Sequence, residues 1–500
     1  MRLCGRSKKS GKPNVGAHDD VTASSFSGDA ISEEKHEKPR PPRQRFVSLK
    51  NWYRSIRDRI FHRDSPQKSK QYFDDKKVMA EHGYRCKAIS GTGTFGTVYK
   101  AHHVTRPNQY VAVKKIELDD EDETREVELH KIVNHENVVA LKESWTRDVL
   151  EIQPKKVHVF FVMDFMPKSL EDHITERARE RLTVSASLIK VFMFQMFKAL
   201  NYLHKCRILH RDIKPSNLLI NIETGDLKIC DFGCAKRMKR YGSQNRTYIC
   251  SRYYRAPELV LRNPYNDDSI DIWAAACVIG ECFRSWPMFP GKSTLHQYGA
   301  IADVLGNPRP SEIRLINPRV ARMHVKFRDA NGTFDQHFPK NTPELAIGLM
   351  AKILIYRPKD RPSALAACAD SYFDQLRSTA TLKLPSGAAL PRHIFKFTSF
   401  ELKNASNDLI RRLLPKVERE AVLAKRCPQS VKSGTESKET AKSSDCESVS
   451  AETDVMENQQ TGDEVWSELE SEDVDDCDVW DCQRVRVLDD ECASSCSSEG

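Results

Sequence analysis

His210-Arg211-Asp212-Ile213-Lys214-Pro215-Ser216-Asn217, then Asp231-Phe232-Gly233, then Ala256-Pro257-Glu258, is the stretch that decides how this chain is read. It sets an aspartate, a lysine, an asparagine and a second aspartate at short fixed spacings. These are the groups that transfer of a γ-phosphoryl group requires. Such a group passes through a loose transition state, so a protein contributes mainly positioning and charge neutralisation. Asp212 is the candidate base for an acceptor hydroxyl. Lys214 reaches the phosphate in transit, and Asn217 and Asp231 offer the hard oxygen ligands that suit Mg2+.

The residues upstream complete the set. Gly91-Thr92-Gly93-Thr94-Phe95-Gly96-Thr97-Val98 is a loop whose glycines let backbone amides approach phosphates closely. Alone, that pattern is weak evidence. It gains weight from the strand-like run Tyr110-Val111-Ala112-Val113-Lys114, whose lysine is placed to pair the α- and β-phosphates. Glu126, in a helical stretch expected from about Glu121 to Val133, is the natural ion partner of Lys114. In this order the motifs resemble those of the protein kinases. The resemblance implies ATP and Mg2+ as cofactors, with Ser90, Gly91, Gly93, Phe95, Gly96, Val98, Ala112, Lys114, Asp164, Met166 and Asp231 around the nucleotide. A lysine two residues after the catalytic aspartate is the serine/threonine form of the motif, so Ser or Thr acceptors on protein substrates are expected.

The expected fold is α+β and bilobal. A small, mainly antiparallel β lobe with one helix spans 84–163, a hinge 164–166, and a large helical lobe 167–373. Ile189, Phe192, Met193, Met196, Phe197 and Leu200 recur at helical spacing and read as packing. Ile270 to Phe283 is the most apolar stretch and should be the buried central helix, with Asp271 bonding the backbone of the catalytic loop.

Length and charge define the flanks. With 500 residues, the chain exceeds one ordinary domain. Residues 1–80 are basic and poor in apolar runs, and are expected to be mostly disordered; 374–426 should pack on the domain. Residues 427–500 form an acidic tail with 21 acids and 5 bases, a net of 5 − 21 = −16, so the overall +9 conceals +25 on residues 1–426. A basic body with an acidic tail suits a tail that folds back on the body or competes with acidic partners, and equally one that only solubilises the chain. No apolar run reaches the length of a bilayer span, and residue 2 is Arg, which rules out myristoylation. The 15 cysteines follow no framework spacing and no secretory signal precedes them, which predicts reduced thiols and a cytoplasmic, also nuclear, setting without nucleic acid as a partner. Cys230, next to Asp231, is expected to face the nucleotide pocket, accessible to alkylating reagents.

From about Tyr84 to Leu402 the chain resembles the glycogen synthase kinase 3 family. Tyr248-Ile249-Cys250-Ser251-Arg252-Tyr253-Tyr254-Arg255 before Ala256-Pro257-Glu258 carries most of that likeness, and Phe289-Pro290-Gly291, Val304-Leu305-Gly306, Ala366-Ala367-Cys368-Ala369 and Leu384-Pro385 continue it. The resemblance implies substrates already phosphorylated four residues C-terminal to the target, their phosphate read by Arg125, Arg211 and Lys236. Two guanidinium groups and an ammonium gathered on one dianion would give several charge-assisted bonds. Tyr248 aligns with the family's autophosphorylated activation-loop tyrosine. Where the family's scaffold-docking helix has larger aliphatic and acidic residues, this chain has His296-Gln297-Tyr298-Gly299-Ala300, which argues against docking of the usual family type.

Two features belong to the N-terminal flank. Arg43-x-Arg45-x-x-Ser48 is a basophilic phosphorylation site, and phosphorylated Ser48 is a candidate pseudosubstrate for the same three cations. Leu49, Trp52, Tyr53, Ile56 and Ile60, interleaved with arginines, predict a basic amphipathic helix over 47–63, suited to an anionic membrane, a regulatory protein or the small lobe itself. The competing reading is a pseudokinase-like signalling scaffold with vestigial transfer. Nothing essential is replaced at Lys114, Glu126, Asp212, Lys214, Asn217 or Asp231.

Overall fold

In the computed structural model the described residues are 66–93, 96–119, 125–149, 156–238, 250–265, 267–317, 333–378 and 383–426. They form the bilobal α+β arrangement. Valine and aromatic residues concentrate in the strands of the first lobe: β1 (Tyr84–Gly93), β2 (Gly96–His103), β3 (Tyr110–Asp119), β4 (Leu141–Val149) and β5 (Lys156–Asp164). They build one antiparallel sheet in the order β1-β2-β3-β5-β4. The single strand-like run from Tyr84 to Tyr99 is in fact a hairpin, closed where Gly93 pairs Gly96. Gly96 has φ +121°, and a Cβ there would lie 1.9 Å from the Lys115 carbonyl oxygen, so only glycine fits.

Two described elements of this lobe bear on the sequence expectations. Residues 1–80 were expected to be mostly disordered, but α1 (Pro66–Glu81) is a helix. It is held because Val78 and Met79 join Tyr84, Tyr99, Val113, Phe160 and Val162 in one buried cluster, with Tyr72 packed at its edge. Asp75, also buried, bonds Lys115 Nζ at 2.7 Å and the Tyr99 hydroxyl at 2.5 Å. The helix expected from Glu121 to Val133 is described over a shorter span, α2 (Arg125–Ile132). The amphipathic segment 47–63, Ser48, Phe95, Tyr248 and the acidic tail lie outside the described residues.

Beyond β5 the chain turns helical. A short strand β6 (Lys168–Ser169) leads into α3 (Leu170–Arg179), whose first turn is closed by a capping box between Ser169 and Asp172. α4 (Ala186–Lys205) then buries both its predicted stripe and its Gln195 and Lys198. Short strands carry the loops between lobes: β7 (Ile208–Leu209), β8 (Leu218–Asn221), β9 (Asp226–Ile229) and β10 (Lys236–Arg237), paired as β6-β8-β9 and β7-β10. α5 (Ser269–Arg284) is buried from Ser269 to Phe283, as an all-round apolar helix must be. α6 (Thr294–Leu305) and α7 (Glu344–Ile353) surround it, and α8 (Asn407–Leu413) and α9 (Lys416–Arg426) end the described chain.

Residues 383–426 are part of this packing. Phe194 of α4 meets Phe395 edge-on at 5.3 Å, Lys198 Nζ donates to the Lys396 carbonyl at 2.6 Å, and Ile394, Ile410 and Leu413 are fully buried. His135, after α2, bonds Glu401 at 3.2 Å, so this C-terminal segment also braces the small lobe. Among the described residues no helix is long and apolar enough to cross a membrane.

Candidate active site

Strand alternation sets the site's first contact. Lys114 and Lys115 are neighbours on β3 and so project to opposite faces of the sheet. Lys115 turns to Asp75 of α1; Lys114 turns inward to Glu126 Oε1 of α2 at 2.8 Å and Asp231 Oδ1 at 3.0 Å. Burial works against the Lys114 charge, but the two carboxylates outweigh it and hold the ammonium above its ordinary pKa. Asp231 shows the converse: burial pushes its carboxyl up, and Lys114 more than compensates, leaving it below the usual range. Asp231 takes φ +69°, a left-handed conformation uncommon for a non-glycine residue, and the turn aims its carboxylate back at Lys114.

Below this pair the catalytic loop hangs from α5. Asp271 accepts the His210 amide at 2.9 Å and the Arg211 amide at 2.8 Å, while His204 bonds the same carboxylate at 3.0 Å. Burial alone would neutralise both partners. Their mutual bond instead raises the pKa of His204 and lowers that of Asp271, so the pair is ionic. Arg211 reaches φ +64°, and its Nε donates to the Cys234 carbonyl at 2.6 Å.

The Asp212 carboxylate is fully engaged. Oδ2 accepts from Lys214 Nζ at 2.5 Å and Asn217 Nδ2 at 3.0 Å; Oδ1 accepts from the amide and hydroxyl of Ser251 at 3.0 and 2.9 Å. Asn217 Nδ2 also donates to the Asp212 carbonyl at 2.8 Å. With its nitrogen committed, the Asn217 carboxamide offers its oxygen. One carboxylate and one amide oxygen are a donor set suited to a small hard cation that completes its shell with phosphate and water, so Asp231 and Asn217 fit Mg2+.

At the other end of the cleft, β5 runs out at Asp164, whose carboxylate bonds Lys142 and Lys228 at 3.0 and 3.1 Å. Burial opposes the Asp164 charge, and the two lysines hold its pKa below the usual value. The Met166 backbone has no hydrogen-bond partner among the described residues, which leaves an amide and a carbonyl at the expected hinge for a ligand. Ser90, Gly91, Gly93, Gly96 and Val98 lie on the β1-β2 hairpin, over the face of β3 that carries Ala112 and Lys114.

For the three phosphate-reading candidates the backbone gives this arrangement. Arg125 opens α2, of which only the backbone is described at that residue; α2 packs against β10, which carries Lys236; and β10 pairs Lys236 with Leu209, two residues before Arg211.

Four residues have clear structural roles that the sequence reading did not assign. Ser251 bridges Asp212 and Lys214, the latter at 3.1 Å. Phe232 is fully buried between His130 of α2 (5.1 Å between centroids) and His210 (5.5 Å). His130 Nε2 donates to the Val139 carbonyl at 2.7 Å, and burial holds its pKa down, so it sits as a neutral ring. Finally, Arg361 forks onto Glu258 at 2.7 and 2.8 Å, both side chains buried, tying the Ala256-Pro257-Glu258 turn to the helical core. Ser251 and Phe232 stand within quoted motifs, but their contacts, like those of His130 and Arg361, join distant segments. Cys230, expected to face the nucleotide pocket, is partly buried, and burial, with Asp231 alongside, pushes its thiol up to about 12, which disfavours the thiolate that alkylating reagents need.

A family model for the protein kinase domain matches residues 84–373, more than half of the chain.

Proposed function

The chain belongs to the protein kinase family, and on that premise we propose that it is an active serine/threonine kinase, using ATP and Mg2+, that prefers protein substrates already phosphorylated C-terminal to the target. The observation that carries activity over a vestigial role is the assembled Lys114–Glu126–Asp231 contact, which leaves the lysine where nucleotide phosphates must lie. Asp212 orients the acceptor hydroxyl and takes its proton, while Lys214 neutralises charge on the phosphoryl group as it passes. Asp231 and Asn217 would hold Mg2+, which would supply positive charge to offset that of the nucleotide phosphates. The hinge amide and carbonyl of Met166, with the Ala112 face of β3, receive the adenine.

Preference for Ser and Thr rests on Lys214, and on Ser251, which already presents a hydroxyl to Asp212 and Lys214 as an acceptor serine would. Preference for primed substrates rests on Arg125, Arg211 and Lys236, which come from three elements that adjoin. Membership in the glycogen synthase kinase 3 group, a regulatory Tyr248 and an inhibitory phospho-Ser48 are part of the same proposal. The test compares primed and unprimed peptides with wild type, Asp231→Asn and Arg125→Ala. Asp231→Asn should abolish all transfer; Arg125→Ala should lower kcat/KM on the primed peptide alone. Equal losses on both peptides in Arg125→Ala would refute the priming pocket, and transfer retained by Asp231→Asn would refute the assigned chemistry.

A further inference from the structure

A cleft of about 540 Å³ lies in the large lobe, between the end of α7, the segment 369–378 and the α8–α9 corner. None of these segments carries a residue of the site described above. Six of its 13 lining residues are basic, Lys352, Arg377, Arg411, Arg412, Lys416 and Arg419, against two carboxylates, Asp370 and Asp374.

Both carboxylates are already compensated. Lys352 Nζ bonds Asp370 at 2.6 Å, and Arg377 bonds Asp374 at 2.7 Å while spending its other donors on the carbonyls of Cys368 and Asp370. Arg412 shares an exposed pair with Asp408 at 3.2 Å. Arg411, Lys416 and Arg419 remain, and none has a carboxylate partner among the described residues. Arg419 Nη1 donates to the Arg411 carbonyl at 3.4 Å, so the two arginines share one corner despite like charge. The corner is fixed, because Leu413, Leu414 and Pro415 between α8 and α9 are buried. Placing uncompensated cations on rigid backbone around a concavity has a cost that a bound anion relieves.

We propose that this cleft binds a compact polyanion bearing clustered phosphates, of the inositol polyphosphate class. The size is that of a small-ligand site, and two guanidinium forks beside an ammonium match phosphate oxygens better than isolated carboxylates. The same headgroup chemistry occurs free or on a phosphoinositide lipid.

The experiment is calorimetric titration of the full chain with inositol hexakisphosphate at physiological salt, with the ATP site occupied by a non-hydrolysable analogue. Saturable one-to-one binding is expected, and Arg411→Gln with Arg419→Gln should weaken it about tenfold or more, the loss of at least one charge-assisted contact. The charge-matched pair Arg106→Gln with Arg314→Gln, away from the cleft, should leave affinity unchanged. Binding retained by the first pair, or lost equally by both, overturns the assignment. A parallel arm with vesicles containing a phosphoinositide identifies the source: recruitment that requires Arg411 and Arg419 points to the lipid, and soluble binding without recruitment points to the free polyphosphate.

Discussion

Asp75→Ala tests whether α1 is part of the folded domain. Both Asp75 oxygens are used, Oδ1 by Lys115 Nζ at 2.7 Å and Oδ2 by the Tyr99 hydroxyl at 2.5 Å, and all three residues are buried. Burial and the Asp75 bond hold the Tyr99 phenol well above its ordinary pKa, so it remains a donor at any working pH. Removing the carboxylate strands a buried ammonium, which costs about 3–5 kcal/mol in comparable pairs. The orphaned phenol adds to this, though less than its full penalty, because one relaxation can serve both groups. A loss of about 4 kcal/mol, equivalent to roughly 8 °C in Tm for a domain of this size, is expected by thermal unfolding. The control is Asp75→Leu with Lys115→Met, which swaps the pair for apolar side chains of similar volume and should recover most of the loss. Because Lys115 adjoins Lys114 on β3, the single variant should also raise KM for ATP, and the double variant should restore it. A single variant within about 1 kcal/mol of wild type, or a double variant no better than the single, would refute the view that this helix clamps the back of β3 through a buried ion pair.

Three further outcomes follow from individual contacts. Burial pushes Glu281 up to about 8, against a bond from the Tyr254 hydroxyl at 2.6 Å; the folded chain therefore keeps a proton that the unfolded chain releases near the ordinary carboxylate pKa, and stability falls as pH rises between those values. Glu281→Gln removes that slope and should gain about 3 kcal/mol on wild type between pH 5 and pH 8, measured by denaturant unfolding; parallel pH profiles would contradict it. Ser251→Ala removes the hydroxyl that an acceptor must displace from Asp212 Oδ1 and should lower KM for the acceptor peptide severalfold with little change in KM for ATP, an effect read by steady-state kinetics and absent if Ser251 is only a spacer. The Cys230 thiol, raised to about 12, should resist iodoacetamide at pH 7.5 in the folded protein and react once unfolded, as peptide mass spectrometry would show.

What the sequence discloses and what it conceals divide along a physical line. Asp212, Lys214, Asn217 and Asp231 are legible because phosphoryl transfer dictates residue type, and one loop and one turn dictate spacing. Asp271 is legible because it stands in the first turn of a long apolar run that must be buried. α1 is not, because among its described side chains the buried ones are Val78, Met79 and an aspartate, and Asp75 reads as a surface acid until Lys115, forty residues on, is seen opposite it. The His130–Phe232–His210 stack is concealed for the same reason: three rings from separate segments meet only after folding. Cys230 reads as accessible because it precedes Asp231 in the sequence, whereas folding packs it, partly buried, against the cluster of Ile116, Val139 and Phe161.

The resting site is electrically closed on itself. Asp231 is bonded to Lys114, and every acceptor direction of Asp212 is occupied by Lys214, Asn217 or Ser251. A carboxylate has room for about four donors, and Asp212 has four. A substrate hydroxyl must therefore take the place of a donor already present, and the one most like it is the Ser251 hydroxyl, held by both the base and the phosphate-directed lysine. Likewise Asp231, now compensated by Lys114, would be compensated by a bound cation, which would leave the lysine to nucleotide phosphates. Each protein–protein contact in the closed site is one that ATP, metal or acceptor can replace in kind. The proposal of a working enzyme rests on this interchangeability, since Asp212, Asn217 and Asp231 are each held by contacts that ligands could replace.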